Sequence, residues 1–404
     1  MPRLLFINRV FPPAAGATGQ LMWELTADLA RRGHEVTVLT AGLAGGGEDA
    51  APAGVTVVRY GSGGGAKTGL AAKAWGYARQ YPSLAWQLRR MPPMDLWISM
   101  TDPPLQAVAV AWMKPAGTRL LHWAQDVYPD VAEELGVLRR GGLVARGCRR
   151  LAVAALRRHD GVVAVGRCMA ARLAARDPGG PGPEVIPNWA PLPEPRPDDD
   201  DRRMAFRRSV APDGARLVMY SGNFGRAHPF AAIAEAVRRT AVEDPSIHWA
   251  FIGDGPKFPW MRDAVGGQPN TTFLPPQPWA DLRITLAAAD VHLASMEHFL
   301  AGTVVPSKVY GALAVGRPCL LLGPASGEAA QLITDTGAGA VLENATGEAL
   351  AAALIRLDRD RARWAAMQAA AAEAADEVSR DRCLDRWAAT IDGLLAGSGG
   401  PRPQ

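Results

Sequence analysis

Twice in this chain a short apolar run leads into a glycine-bearing loop and then into a segment with helical apolar spacing. That repeated unit restricts the fold more than any other feature. In the first copy, residues 4–10 read as a buried strand and 12–19 as a loop rich in Pro, Gly and Ala. A helix follows over 21–32, with Leu21, Leu25 and Leu29 on one face and Gly33 as its stop, and then a strand over 36–40. In the second copy, a strand over 217–221 meets a loop at 222–228, a helix at 230–240 and a strand at 249–253. Strands that are apolar throughout must be buried on both faces, the condition of a parallel sheet covered by helices. With 404 residues the chain exceeds one ordinary core. The expected architecture is therefore α/β, with two doubly wound domains. The expected boundaries are 1–190 for the first domain, 191–214 for a linker with a short helix around Phe206, and 215–380 for the second. The second domain ends in an Ala-rich helix over roughly 347–380, and a closing helix at 381–396 and a disordered tail at 397–404 follow.

Further strands are expected at 55–60, 95–100, 119–126, 161–166, 184–188, near Phe273, at 291–295 and at 319–323. Residues 67–90 read as largely helical with a break at Pro82. There Lys67, Lys73, Arg79, Arg89 and Arg90 interleave with Trp75, Tyr77, Tyr81 and Trp86. The segment 139–158 holds seven arginines and no acidic residue. Both stretches read as helices with a solvated basic face, or as patches that meet anionic lipid. Nucleic acid is not an expected partner, because 44 basic residues are nearly balanced by 40 acidic ones. The four cysteines are isolated, which argues against zinc and a disulfide framework and suits a reducing cytoplasm. No apolar run approaches the ~20 residues of a membrane span. The expected location is cytoplasmic, at most against the inner face of a membrane.

In an open parallel sheet, ligands collect beyond the carboxyl ends of the strands. In the first domain this singles out Gly16, Gly19, Gln125, Asp126 and Tyr128. The Gly16-x-x-Gly19 spacing is not the nicotinamide fingerprint, and the second strand ends without an acid for a ribose. The loop instead lets backbone approach a sugar or a phosphate. Asp126 has two readings, a general base or the cap of a helix starting near Pro129. His122 and His34 read as structural. In the second domain the candidates are Ser221, Asn223, Gly225, Arg226 and Gly253. Residues 303–318 place Pro306, Ser307 and Lys308 at a helix start, with Gly316 and Pro318 at its end. Ser307 as a cap, the helix dipole and the Lys308 ammonium would together favour a phosphate. Glu328 opens the next helix. The aspartates 198–201 in the proline-rich linker read as solvated, and no metal site is expected.

These phrases also resemble a known family. Pro306-Ser307-Lys308-x-Tyr310-x-x-Leu313-Ala314-x-Gly316-Arg317-Pro318 is similar to the donor segment of family 4 glycosyltransferases. Tyr220-Ser221-Gly222-Asn223-x-Gly225 is similar to their phosphate loop, and Gly33–Val38 and Val185–Asn188 to phrases of their first domain. Trp123-x-Gln125-Asp126-x-Tyr128-Pro129-Asp130 resembles the branch that builds bacterial surface polysaccharides and lipid-linked glycans, including L-fucosamine-type transferases. The resemblance implies the GT-B arrangement, two Rossmann-like domains facing across a cleft, with the last helix returning to the first domain. It implies retaining, metal-independent transfer from a nucleotide-diphosphate sugar, UDP-linked, to a glycan or polyprenyl-linked acceptor. No cofactor is implied. Arg226 and Lys308 would neutralise the diphosphate, and Gln125, Asp126 and Tyr128 would face the acceptor. The chain departs from the family at two positions: its paired glutamates fall at Thr303 and Gly311 here. Glu328 is the candidate substitute for ribose contact. A UDP-sugar 2-epimerase on the same frame, or a non-catalytic partner subunit, are the alternative readings.

Overall fold

The structure, a computed structural model, describes residues 1–13, 16–42, 50–61, 76–77, 79–225 and 228–397. The chain divides into two compact units. The first comprises Met1–Pro187, Gly302–Val304 and the chain from Cys383 onward; the second comprises Asn188–Ala301 and Val305–Arg382.

In the first unit the strands are β1 (Arg3–Ile7), β2 (Glu35–Ala41), β3 (Val55–Tyr60), β4 (Leu96–Ser99), β5 (Arg119–Ala124), β6 (Gly161–Ala164) and β7 (Glu184–Val185). They form one sheet in the order β3-β2-β1-β4-β5-β6-β7, and every pairing is parallel. Leu4 to Ile7 are wholly buried, as a central strand covered on both faces requires. Three helices, Gln80–Arg90, Gln106–Met113 and Leu143–Leu156, bury Leu84, Leu88, Val110, Ala111 and Ala155. These side chains join one core with Leu5, Ile7, Trp97 and Leu120 of the sheet, so the three helices cover the same sheet face.

The second unit repeats the scheme with β8 (Arg216–Asn223), β9 (Ile247–Asp254), β10 (Thr271–Leu274), β11 (Val291–Ser295), β12 (Cys319–Leu322) and β13 (Gly339–Leu342). Their order is β10-β9-β8-β11-β12-β13, again parallel throughout. Its core gathers Tyr220, Phe224, Phe230, Trp249 and Phe251 with Leu350 and Leu354. In each sheet the strand order reverses once, between β1 and β4 and between β8 and β11. In open parallel sheets such a reversal is where the loops diverge and ligands bind, beyond the carboxyl edge.

Four local differences from the sequence reading have physical causes. β8 does not end at Ser221: Gly222 and Asn223 pair with Gly253 and Asp254 of β9, so two residues read as loop belong to the sheet. Pro82 does not break a helix. It lies in the first turn of Gln80–Arg90, where its missing N–H costs no hydrogen bond. The long C-terminal helix expected after Gly347 is divided at Asp360, whose carboxylate accepts from the Arg363 N–H at 2.9 Å and starts a new helix, Arg361–Glu377. Residues 191–214 hold the expected helix around Phe206, Asp199–Val210, but the segment belongs to the second unit instead of standing as a separate linker. Its Arg207 donates to the Ala288 carbonyl, the Ala215 carbonyl and the Asp290 carboxylate, each at 2.7 Å.

The Arg380–Ala396 helix buries Cys383, Leu384, Trp387 and Ile391. The Trp387 ring meets Trp123 with centroids 4.6 Å apart, and Thr390 donates to Glu184 at 2.9 Å. From Cys383 the chain is thus part of the first unit. The tail beyond Gly397 lies outside the described residues.

Candidate functional site

The carboxyl edge of the second sheet, at its β8–β11 reversal, carries most of the sequence candidates. Gly222, near the end of β8, has φ +131, and a Cβ there would stand 3.2 Å from Lys308 Cε and 3.5 Å from its Nζ. The Lys308 stem therefore lies across bare backbone, with its ammonium 4.8 Å from the centroid of the Tyr220 ring. Tyr220 is itself wholly buried and donates to the Asn223 carbonyl at 3.0 Å. Burial pushes Lys308 down to about 8. Among the described residues no carboxylate pairs with the ammonium. A cation held in a desolvated place without a counter-ion is favoured by an incoming anion.

Beside it, His228 donates through Nδ1 to the Ser295 carbonyl at 2.7 Å, at the end of β11. Burial first, then the Lys308 charge, lowers His228 to about 4, so its ring is neutral at physiological pH. Ser295 and His228 were not picked out from the sequence. Their one available signal was that each ends or follows a strand on this edge.

The other candidates fall on the same edge in different roles. Ser221 and Asn223 are in β8, exposed or half-exposed, and Gly225 follows them. Gly253, with φ +140, owes its identity to the sheet: a Cβ there would stand 2.0 Å from the Gly222 carbonyl oxygen. Gly255, φ +139, would meet Asn223 Oδ1 at 2.5 Å in the same way. Ser307 occupies the N-cap position of the Lys308–Ala314 helix but makes no capping bond. Its backbone is helical (φ −65, ψ −16), which turns the hydroxyl away from the N–H groups a cap would satisfy. Glu328 opens the Glu328–Thr336 helix, beyond the end of β12. Arg226 lies outside the described residues. At the two positions where the resemblance places glutamates, Thr303 is buried, and Gly311 leaves room for Leu286, whose Cδ1 would be 3.3 Å from a Cβ.

A second polar cluster occupies the carboxyl edge of the first sheet. Asp126 follows β5. It caps nothing: the Asp130–Glu134 helix has Pro129 at its N-cap and no side-chain cap bond. Burial first, and then the neighbouring Asp102 carboxylate, push Asp126 up to about 6. Asp102 follows β4 and is clamped by Arg9, which follows β1, through bonds of 2.8 Å to Oδ1 and 2.7 Å to Oδ2. The Arg9 N–H also donates to the Asp102 carbonyl at 2.8 Å. Tyr77 lies under the guanidinium at 5.5 Å, and burial raises the hydroxyls of Tyr60, Tyr77, Tyr81 and Tyr128. Asp126 and Tyr128 line a small cavity with Met100, Gln106, His122 and Arg176. Gln125 is buried behind them. His122 is packed, its Nδ1 3.1 Å from Ser99 Oγ, with burial lowering it to about 3. Neither Arg9 nor Asp102 was singled out from the sequence, since nothing local marks residues 93 positions apart as partners.

Gly16 and Gly19 both have packing explanations. A Cβ at Gly16 would sit 2.8 Å from Val10 Cγ1, and one at Gly19 would sit 3.1 Å from the Val10 carbonyl oxygen. Both let the Ala17–Arg31 helix approach the chain leaving β1. The arginine-rich stretch is partly neutralised by acids from outside it. Arg149 bonds Asp130 at 2.9 Å and also Glu133, Arg157 bonds Asp177 at 2.8 Å, and Arg140 bonds Glu134 at 2.5 Å. Among the described residues no three His, Cys, Asp or Glu side chains converge as a metal site would require.

Residues 16–189 match the family described as glycosyl transferase 4-like domain, and residues 215–360 match glycosyl transferases group 1. The chain thus carries a glycosyl transferase 4-like domain followed by a glycosyl transferases group 1 domain. It is 29% identical over 252 residues to a protein of Pseudomonas aeruginosa named probable glycosyltransferase WbjE, covering 61% of each chain. It is 27% identical over 247 residues, 60% of each, to WcaI of Escherichia coli, named for glycosyl transfer in colanic acid biosynthesis. The alignments thus span about three fifths of the curated relatives' length. Among solved structures, Anabaena HepE in complex with UDP and glucose superposes with a TM-score of 0.67. It has 16% identity and covers 97% of this chain and 100% of that one. The fold is therefore GT-B.

Proposed function

We propose that this glycosyltransferase moves a sugar from a nucleoside-diphosphate donor, UDP-linked, to a hydroxyl of a glycan or polyprenyl-linked acceptor in bacterial polysaccharide biosynthesis. The observation that carries the reading is Lys308, a desolvated ammonium without a carboxylate partner among the described residues, at the strand-order reversal of the second sheet. A diphosphate supplies the charge this site lacks. As the sugar–oxygen bond breaks, negative charge builds on the leaving diphosphate, and a fixed cation in a dry site stabilises it. Arg226 is assigned to the same task. The balance is simple: the acceptor oxygen bonds the sugar carbon on the face from which the nucleoside diphosphate departs, as retention in one step requires, and the acceptor proton goes to Asp126. A base raised to about 6 is ionised at neutral pH yet remains a better proton acceptor than an ordinary aspartate. Neutralisation by side chains leaves no task for a metal or another cofactor in this reading, and retention is carried from the family. The UDP assignment is supported by HepE, solved with UDP and glucose. The polysaccharide assignment is supported by WcaI. Four cysteines that form no disulfide fit a reducing cytoplasm, the location proposed for the reaction.

The test is donor turnover followed by mass spectrometry. The protein is incubated with a panel of UDP- and GDP-sugars and bacterial lipid extract, with and without EDTA, beside Lys308→Ala and Asp126→Ala. Sugar on lipid, insensitive to EDTA and lost in both variants, is expected. An epimerised UDP-sugar would replace the reading with the isomerase. Tight UDP binding with no turnover of any donor would replace it with a non-catalytic subunit.

A further inference from the structure

The three helices that cover one face of the first sheet, Gln80–Arg90, Gln106–Met113 and Leu143–Leu156, do not contain a single Asp or Glu. The chain as a whole has almost as many acids as bases, so this is a local segregation of charge. Because the three helices pack side by side on one core, their outer surfaces face the same way. Those surfaces carry large apolar side chains in water. Leu143 is 85% exposed, Val144 66%, Trp86 56%, Leu151 50% and Trp112 48%. Arg89, Arg90, Arg146 and Arg150 are exposed among them, and no carboxylate pairs with them among the described residues. On the third helix Leu143, Arg146, Arg150 and Leu151 follow at helical spacing along the outer side, while Ala145, Ala155 and Leu156 face the core. Arg90 stacks on Trp86 at 4.4 Å and Arg158 on Trp112 at 5.5 Å.

From this geometry we infer that the face is a docking surface for an anionic lipid bilayer, with Leu143, Val144, Leu151, Trp86 and Trp112 entering the headgroup boundary and the arginines pairing with lipid phosphates. Aromatic rings beside guanidinium groups suit an interface that is apolar below and charged above. No helix among the described residues is long and apolar enough to cross a membrane, so this contact lies on the surface. A second copy of the chain is disfavoured as the occupant, since a symmetric pairing would set Arg89, Arg90, Arg146 and Arg150 against the same arginines of the other copy. A carboxylate-rich partner would satisfy the arginines but offers no layer for five exposed apolar side chains. The inference stands apart from the donor reading, because its test needs no turnover.

The test is flotation of the full protein with vesicles of phosphatidylcholine alone and of phosphatidylcholine with phosphatidylglycerol. Binding is expected to the anionic vesicles, weakening as salt rises. Each basic side chain near such a surface is worth about fivefold in affinity. Arg146→Glu with Arg150→Glu should therefore weaken binding by about 25-fold or more. Leu143→Ser with Leu151→Ser should weaken it while leaving the salt dependence in place. Brominated lipid should quench tryptophan emission in the parent and less in Trp86→Ser. A control reversal, Arg361→Glu with Arg363→Glu, should change nothing, and unchanged melting temperatures exclude misfolding. Equal binding by the reversed and control variants, or no anionic preference, would overturn the inference. So would self-association in solution that Leu143→Ser with Leu151→Ser abolishes.

Discussion

Asp126→Asn is expected to stabilise the first unit and abolish turnover together, with the stabilisation appearing only above acid pH. Burial and the Asp102 charge raise the folded carboxyl from 3.8 to about 6. The folded chain therefore holds this proton over a range where the unfolded chain has released it. Stability from this group is greatest below pH 3.8 and falls as pH rises toward 6, because the unfolded state binds fewer protons there. Above pH 6 the ionised carboxylate costs the fold about 3 kcal/mol. Asparagine has no charge to bury, so the variant recovers up to about 3 kcal/mol at pH 7.5 and essentially nothing at pH 3.5. For a unit of this size that is roughly 6–12 °C in Tm as an upper bound, because the amide must also find hydrogen-bond partners. The assay is thermal or urea unfolding of parent and variant at both pH values, reading the difference between them at each. Other carboxylates titrate in both proteins and cancel. Turnover should fall by about 10²–10⁴ if Asp126 takes the acceptor proton, and the parent's kcat/KM should decline below pH about 6. A variant equally stabilised at both pH values would refute the desolvation argument. A stabilised variant with full turnover would refute the catalytic one.

Three further outcomes are expected. Lys308→Met should weaken UDP binding about ten- to a hundredfold by calorimetry, yet stabilise the free protein at pH 7. The cost of burying the ammonium is present below its folded value of about 8 and fades by 10.5. In the parent, UDP binding near pH 8 should take up a proton, visible as a dependence of the heat on buffer. Gly253→Ala must move the Gly222 carbonyl from a 2.0 Å collision, and a loss of about 3 kcal/mol in the second unit is expected from urea unfolding. Trp387→Ala removes the ring packed on Trp123, and should cost the first unit about 3–5 kcal/mol.

Much of the fold was legible because buried parallel strands leave continuous apolar runs, and such runs need no partner to be recognised. Val55–Tyr60 and Val291–Ser295 fall where their composition places them. Strand ends were less legible. Gly222 and Asn223 look like loop residues, and only pairing with Gly253 and Asp254 makes them strand. The glycines show the same limit. Gly253 reads in the sequence as a ligand-loop glycine, but the Gly222 carbonyl that excludes a side chain there belongs to another strand.

The sequence alone determined the two α/β units, their helix and strand alternation, and the candidacy of Lys308 and Asp126. Those are local properties: apolar period, capping chemistry and charge within a few residues. Tertiary structure alone decided their electrostatic state. Lys308 is lowered because Tyr220 and Gly222 enclose it, from more than 80 residues away in the chain. Asp126 is raised first by its burial, and then because strand order sets β4 beside β5 and brings Asp102, held by Arg9, to the same edge. Desolvation and through-space charge depend on which segments meet, and only the order of strands in a sheet decides that.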